Sequence, residues 1–303
     1  MLYRMGAIIS FVKSEKTMND KNPDRSAKDK HYATLRRQHR DQKAIAEGKP
    51  LRKPQRPSLP ASAVTDGTVR LYGLHTVHAA VENPARKILR MRATRNGFAR
   101  LEIGEADSLP FPVEIVEPKE IDKETGTDAV HQGVMIEAEP LQAKKLSELK
   151  DSALILVLDQ VTDPHNVGAI MRSAVAFGAG ALITTSRHSP QESGVLAKAA
   201  SGALELIPHI EVRNLAEAIG ELHEVGFQTI GLDSEGGAEM EATLSGGRIA
   251  LILGAEGKGL RQKTRETVNA LARLDMPGAI KSLNVSNAAA ISLYTAERYL
   301  RNK

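Results

Sequence analysis

Three polar clusters in the C-terminal half combine residue types that can hold and orient a ligand. Residues 159–172 read DQVTDPHNVGAIMR, residues 254–259 read GAEGKG, and residues 276–287 read MPGAIKSLNVSN. Arg172 brings a permanent, five-donor guanidinium fork suited to a phosphate or a developing oxyanion, and Asn166 precedes it by six residues, about one and two-thirds helical turns. Glu256 stands between glycines, where the main chain can approach a ligand closely and the carboxylate can reach it. That carboxylate would repel a polyphosphate, so a nucleoside-like ligand suits the loop better. Ser282, Asn284, Ser286 and Asn287 are the short polar types that cap helices by bonding free backbone N–H groups. One cap suffices for one helix. Four such residues in six point to a surface that binds something. Taken singly, each cluster has a plainer reading: Asn166 as an N-cap, Arg172 as a solvated helix charge, the glycines as an ordinary strand-to-helix turn.

The chain excludes several chemistries. It has neither the Gly-x-Gly-x-x-Gly of a dinucleotide fold nor the Gly-x-x-x-x-Gly-Lys-Ser/Thr of a phosphate loop. No Gly-x-Ser-x-Gly elbow or His-Glu-x-x-His spacing occurs, and the nine histidines are scattered. With no cysteine, disulfides and thiolate metal sites are impossible, which fits a reducing cytoplasm.

The clusters are positioned by a repeating grammar of strands and helices. A continuous apolar run at 153–161 reads as a strand buried on both faces. A helix follows at 166–179, then a strand at 180–184, a helix at 214–226 and strands at 227–233 and 248–254. The last strand falls at 271–276, ahead of a closing helix with apolar residues Ala289, Ile291, Leu293, Ala296 and Leu300. Such alternation predicts a mostly parallel sheet covered by helices, in which ligands bind beyond the carboxyl ends of the strands. All three clusters lie at such ends.

Upstream, 67–145 reads as a smaller α/β unit with strands near 87–94, 112–118 and 133–140. Its loop TDAVHQG places His131 and Gln132 before the last of these. Residues 1–66 hold 15 Lys and Arg against seven Asp and Glu, a net of +8 that leaves the rest of the chain at −4. This segment is polar and proline-bearing, so we expect it to be disordered when free. RRQHR with Arg36, Arg37 and Arg40, and KPLRKPQR with Arg52 and Lys53, are suited either to phosphate backbones or to a solubilising role. The opening MLYRMGAIISFVK is too short in its apolar core for a secretory leader, and a true start at Met18 is the reading we favour. No apolar run reaches the roughly 20 residues that span a bilayer.

In order and approximate spacing, DQVTDPHNVGAIMRSA, LILGAEGKGL and MPGAIKSLNVSNAAAISLY resemble the three motifs of the SpoU/TrmH family of RNA 2′-O-ribose methyltransferases, within the SPOUT superfamily. RLYGLHTVHAAVE and TDAVHQGVMIEAEP are similar to the ribosomal-protein-L30e-like substrate domain of bacterial 23S rRNA guanosine 2′-O-methyltransferases. The resemblance implies a trefoil-knotted methyltransferase domain over 150–303, an L30e-like RNA-binding domain over 67–145, a homodimer joined through the knotted domain, and a cytoplasmic enzyme. It makes Asn166, Arg172, Glu256, Ser282 and Asn284 the active-site set, with the other four holding Arg172 and the ribose. It turns Ser282 and Asn284 toward substrate and cofactor and leaves Ser286 or Asn287 to cap the closing helix. It assigns S-adenosylmethionine, without a metal, to Gly254, Leu274, Met276 and Leu283, and RNA contacts to His131 and Gln132. The chain departs from the family where the last strand usually ends Ile-Pro-Met: here it reads Leu274-Asp275-Met276, with Pro277 displaced. Two other readings stay open at this point, a tRNA methyltransferase of the same family and an RNA-binding ribosome-assembly factor without catalysis.

Overall fold

In this computed structural model, residues 67–149, 151–235 and 237–303 are described, so Arg36, Arg37, Arg40, Arg52 and Lys53 lie outside the described residues. The first part contains β1 (Val69–Tyr72), α1 (Leu74–Glu82), β2 (Ile88–Ala93), α2 (Arg95–Ala99), β3 (Val113–Ile115), α3 (Pro118–Thr125) and β4 (Val134–Ala138). These strands form one sheet in the order β1-β4-β2-β3, with β4 antiparallel to both neighbours and β3 parallel to β2. Strand alternation sends Val69, Leu71, Met91, Ala93, Val134 and Ile136 into the core. It turns Arg90 and Arg92 to the other face, where Glu137, Glu114 and Glu124 take up their guanidinium groups at 2.7–2.8 Å. These strand arginines are neutralised within the chain.

The second part runs β5 (Leu154–Asp159), α4 (Pro164–Ala176), β6 (Leu182–Thr185), α5 (Gly194–Ala200), α6 (Ala203–Leu206), β7 (His209–Val212), α7 (Leu215–Glu224), β8 (Gln228–Leu232), β9 (Ala238–Glu239), α8 (Met240–Thr243), β10 (Ile249–Gly254), α9 (Gln262–Thr267), β11 (Ala270–Arg273) and α10 (Val285–Arg301). Its seven strands lie in the order β7-β6-β5-β10-β8-β11-β9, and every neighbouring pair is parallel. All six residues of β5 are buried, as a strand with helices on both faces requires. The fully apolar run of β10 beside it has the same cause. Pairing sets Asp159 directly opposite Gly254, so the loops carrying the first two polar clusters leave the sheet side by side.

Three features differ from the sequence reading. The last strand ends at Arg273, so Leu274, Asp275 and Met276 open the following loop instead of closing the strand. Ile291 does not join the inward stripe of α10: Ala289, Leu293 and Ala296 are fully buried, whereas Ile291 is 45% exposed beside Tyr294 at 49%. Two residues from Ala289 is about 200° of helix, so Ile291 had to point away. Residues 194–212, passed over in the sequence, form α5, α6 and β7.

That passed-over stretch joins the two sheets. Arg86, whose side chain is fully buried, donates to Glu205 from Nη2 at 2.6 Å and from Nε at 3.2 Å. Its Nη1 donates to Glu192 at 2.6 Å and to the Glu139 carbonyl at 2.9 Å. Asn83 adds a bond to Glu205, and Thr76 Oγ1 donates to the Ala197 carbonyl. Burial pushes the Glu192 carboxyl above the usual range, against the pull of Arg86.

Candidate functional site

Helix α4 begins at Asp163, whose side chain accepts from the His165 N–H at 2.9 Å, with Pro164 in the first turn. Asp163 is thus the cap, and Asn166 is released from the role that its position at a helix start offered. Helix α10 begins at Asn284, whose Oδ1 accepts from Ser286 N at 2.8 Å and Ser286 Oγ at 2.6 Å. The expectation that Ser286 or Asn287 caps this helix is therefore corrected: Asn284 caps it, and Ser286 is what Asn284 holds. The same amide reaches the first cluster, donating from Nδ2 to Asn166 Oδ1 at 3.0 Å. Its three bonds fix both amides. With the Asn166 oxygen occupied, the Asn166 NH₂ is left to donate elsewhere.

A cavity of about 330 Å³ opens where Asn166 meets the glycine loop. Asn166, Glu256, Gln160, His188, Lys258 and Val285 are among its walls. The loop from 255 to 259 is a tight turn closed by Gly259 N donating to Ala255 O at 2.8 Å, with Gly257 and Gly259 at φ +76° and +65°. A Cβ on Gly254 would lie 2.1 Å from the Gly259 carbonyl carbon. The glycines therefore let the chain fold upon itself, and Glu256 is displayed at the tip of the turn, exposed. Beneath it sits Asp159, fully buried, which accepts from Arg261 N at 3.0 Å and Arg261 Nε at 2.6 Å. This carboxylate ties the end of β5 to the far end of the glycine loop. Sequence reasoning missed Asp159, although an acid ending an all-apolar strand was its signal.

The structure thus brings Asn166 and Glu256 to one cavity and bonds Asn284, which is not itself in the walls, to Asn166. Arg172 and Ser282 are not in the walls of this cavity. Six residues on from Asn166, Arg172 projects about 120° round the helix and about 9 Å along it. It is exposed and makes no hydrogen bond or ion pair with the described residues. The expectation that Asn166, Glu256, Ser282 and Asn284 hold Arg172 through hydrogen bonds does not describe this chain taken alone.

The segment 274–283 makes no backbone–backbone hydrogen bond with the described residues; within it Lys281 Nζ donates to Met276 O at 2.5 Å. It combines free main-chain donors and acceptors with the half-buried Leu274 and Met276 and the exposed Leu283. Free main-chain groups beside apolar side chains can hold a ligand with both polar and apolar parts. Among the described residues no group of three or more His, Asp or Glu is placed to hold a metal ion.

In the first part, His131 and Gln132 spend their bonds inside the chain. Gly133 N donates to His131 Nδ1 at 3.0 Å, which places the ring proton on Nε2 for donation to Asp122 at 3.1 Å. Gln132 Oε1 accepts from Leu74 N at 3.2 Å and from Lys198 Nζ of α5 at 2.6 Å. Burial holds the Lys198 ammonium below the ordinary lysine range.

Comparison with known proteins now defines the class. Residues 153–294 match the SpoU rRNA Methylase family, and residues 70–144 match the RNA 2′-O ribose methyltransferase substrate-binding family. The chain is 40% identical over 239 residues to the 23S rRNA (guanosine-2′-O-)-methyltransferase RlmB of Ralstonia nicotianae, covering 75% of this chain and 94% of the relative. It is 36% identical to the RlmB of Pseudomonas putida, covering 76% and 96%. Among solved structures, the SpoU methyltransferase AviRb from Streptomyces viridochromogenes in complex with AdoMet superposes with a TM-score of 0.65 at 22% identity, over 77% of this chain and 90% of that one. The AdoMet-bound rRNA methyltransferase from Sinorhizobium meliloti gives 0.64 at 24% identity, over 77% and 88%. The chain belongs to the SpoU rRNA methylase family.

Proposed function

We propose that the chain transfers a methyl group from S-adenosylmethionine to the ribose 2′-oxygen of a guanosine in 23S rRNA, and that the cavity at the ends of β5 and β10 receives that ribose. The observation that carries this reading is the Asn284–Asn166 bond, which joins the third cluster to the first beside Glu256. Relatives that span nearly their whole length with this chain carry that activity in their names, which supports the same substrate here.

S-adenosylmethionine supplies a methyl already activated by the sulfonium charge, with a neutral thioether as leaving group. Gly254, Leu274, Met276 and Leu283 would hold it, consistent with the free main chain of 274–283. The protein's own tasks are then alignment and charge. Fixing near-attack geometry lowers such barriers by about 7–11 kcal/mol. The Asn166 NH₂, oriented by Asn284, donates to a ribose oxygen; the Glu256 carboxylate accepts from a ribose hydroxyl. As the O–CH₃ bond forms and the C–S bond breaks, the 2′-OH proton passes to water, and Arg172 would stabilise the developing 2′-alkoxide, since a guanidinium holds its proton too firmly to act as base.

Within one protomer Arg172 stands clear of the cavity, and Ile280, Leu283, Ile291 and Tyr294 leave apolar surface exposed on and near α10. We read both facts as the mark of a homodimer in which Arg172 serves the neighbouring protomer's site. Residues 67–145 would present the RNA, with His131 and Gln132 shaping the loop toward Lys198. A cytoplasmic location fits an rRNA substrate, and among the described residues no helix is long and apolar enough to cross a membrane.

The test is methyl transfer from labelled S-adenosylmethionine to unmethylated 23S rRNA, with the product nucleoside identified. A 2′-O-methylguanosine product that Asn166→Ala and Glu256→Ala abolish supports the reading. A methylated base, or transfer confined to tRNA, overturns it.

A further inference from the structure

One wall of the cavity has no part in the chemistry assigned so far. His188 lies in the segment after β6, and Lys258 lies in the glycine loop. Both are exposed, and neither side chain bonds to any described residue. The segment bearing His188 is nonetheless fixed. Ser186 N donates to Val212 O at 2.9 Å, and Thr185 Oγ1 bonds the Arg187 carbonyl. His188 itself adopts φ +64°, a left-handed conformation uncommon outside glycine, and Gln160 does so in the same cavity at +63°. Two short tethers and a left-handed backbone thus hold the His188 imidazole at the cavity that the Lys258 ammonium also lines, with nothing among the described residues to satisfy either side chain. Asn166, Asn284 and Glu256 together offer an amide NH₂ and a carboxylate, which suit sugar hydroxyls.

We propose that His188 and Lys258 bind the backbone phosphodiester adjoining the acceptor ribose, so that the nucleotide enters with its sugar hydroxyls toward Asn166 and Glu256 and its phosphate toward this wall. This rests on the reading of the cavity as the acceptor pocket. An ammonium contributes charge to a phosphate contact, and a neutral imidazole contributes an N–H donor. The two residues therefore leave different signatures.

Binding of unmethylated 23S rRNA is measured against salt at pH 8. Lys258→Ala flattens the log–log slope by about 0.7 for single-stranded RNA. His188→Ala weakens binding about two- to tenfold with the slope unchanged, and His188→Asn, which keeps a donor, restores part of the loss. Calorimetry with S-adenosylmethionine alone gives wild-type affinity for both variants. A short RNA carrying a neutral methylphosphonate at the phosphate beside the methylated ribose removes the difference between wild type and each variant. Wild-type slope and affinity in both variants would overturn the proposal, as would a tenfold loss of S-adenosylmethionine affinity, which would give this wall to the cofactor. Should the wild type methylate no guanosine ribose, the functional reading fails, while the salt arm still reports on the phosphate contact.

Discussion

Replacing Asn284 by aspartate separates the structural and functional duties of one side chain. In the wild type its oxygen caps α10 and its nitrogen orients Asn166. The aspartate variant keeps an oxygen for Ser286 and adds negative charge at the start of a 17-residue helix, worth about 0.3–1 kcal/mol. It can no longer donate to Asn166, whose amide must turn over so that its NH₂ bonds the new carboxylate. The Asn166 carbonyl then faces the ribose where a donor is required. Thermal unfolding should place Asn284→Asp within about 1 kcal/mol of wild type, while single-turnover methyl transfer falls about 10²–10³-fold, the usual effect of losing one oriented donor. Asn284→Ala loses both duties. The cap costs about 1 kcal/mol and the bond to Asn166 about 0.5–1.5, so the melting temperature falls by roughly 3–10 °C at about 2–4 °C per kcal/mol. Near-normal transfer by Asn284→Asp would refute the claim that Asn284 works by orienting Asn166.

Other outcomes follow from the same geometry. Gly254→Ala drives a methyl into the Gly259 backbone, and we expect a loss of at least about 2 kcal/mol by urea unfolding together with weakened S-adenosylmethionine binding in calorimetry. Asp159→Ala releases Arg261 and lowers stability by about 2–3 kcal/mol, and amide exchange should show faster opening at 255–261. Arg86→Met leaves the carboxylates of Glu192 and Glu205 facing one another without their cation, at a cost of about 3–5 kcal/mol; adding Glu205→Gln recovers part of it in the double mutant. Burial lowers the His209 pKa below its ordinary 6.5, so the folded imidazole stays neutral where the unfolded chain takes up a proton. The unfolded state binds more protons, and stability should therefore decline as pH falls through 6.5 toward the folded-state value. His209→Gln should flatten that decline in urea midpoints measured between pH 5 and 8.

The parallel sheet was legible because β5 and β10 are apolar up to their last residues, a pattern that burial on both faces imposes. The convergence of the first two clusters followed, since neighbouring strands in register must release their loops together. What stayed hidden was pairing between side chains. Four cap-type residues stood near α10, and only the fold decides which oxygen meets the free N–H; it proved to be Asn284. The segment 194–212 carries elements of four to seven residues, too short to show a period, yet it supplies Glu205 and Lys198 to the junction of the two sheets. His188 belongs to the neighbouring turn and offers no spacing to read, because its relevance comes from a fold that sets it in the same cavity as Asn166. Arg172 was legible as a charge on a helix, but no sequence pattern states that it stands clear of the cavity that Asn166 lines.

The central claim is tested most directly by counting 2′-O-methylguanosine in 23S rRNA from a strain lacking this gene, complemented either by the wild type or by Asn166→Ala. The account predicts one position that loses its methyl in the deletion strain, regains it with the wild type, and stays bare with Asn166→Ala. A deletion strain whose 23S rRNA keeps every ribose methyl, or full restoration by Asn166→Ala, would contradict it.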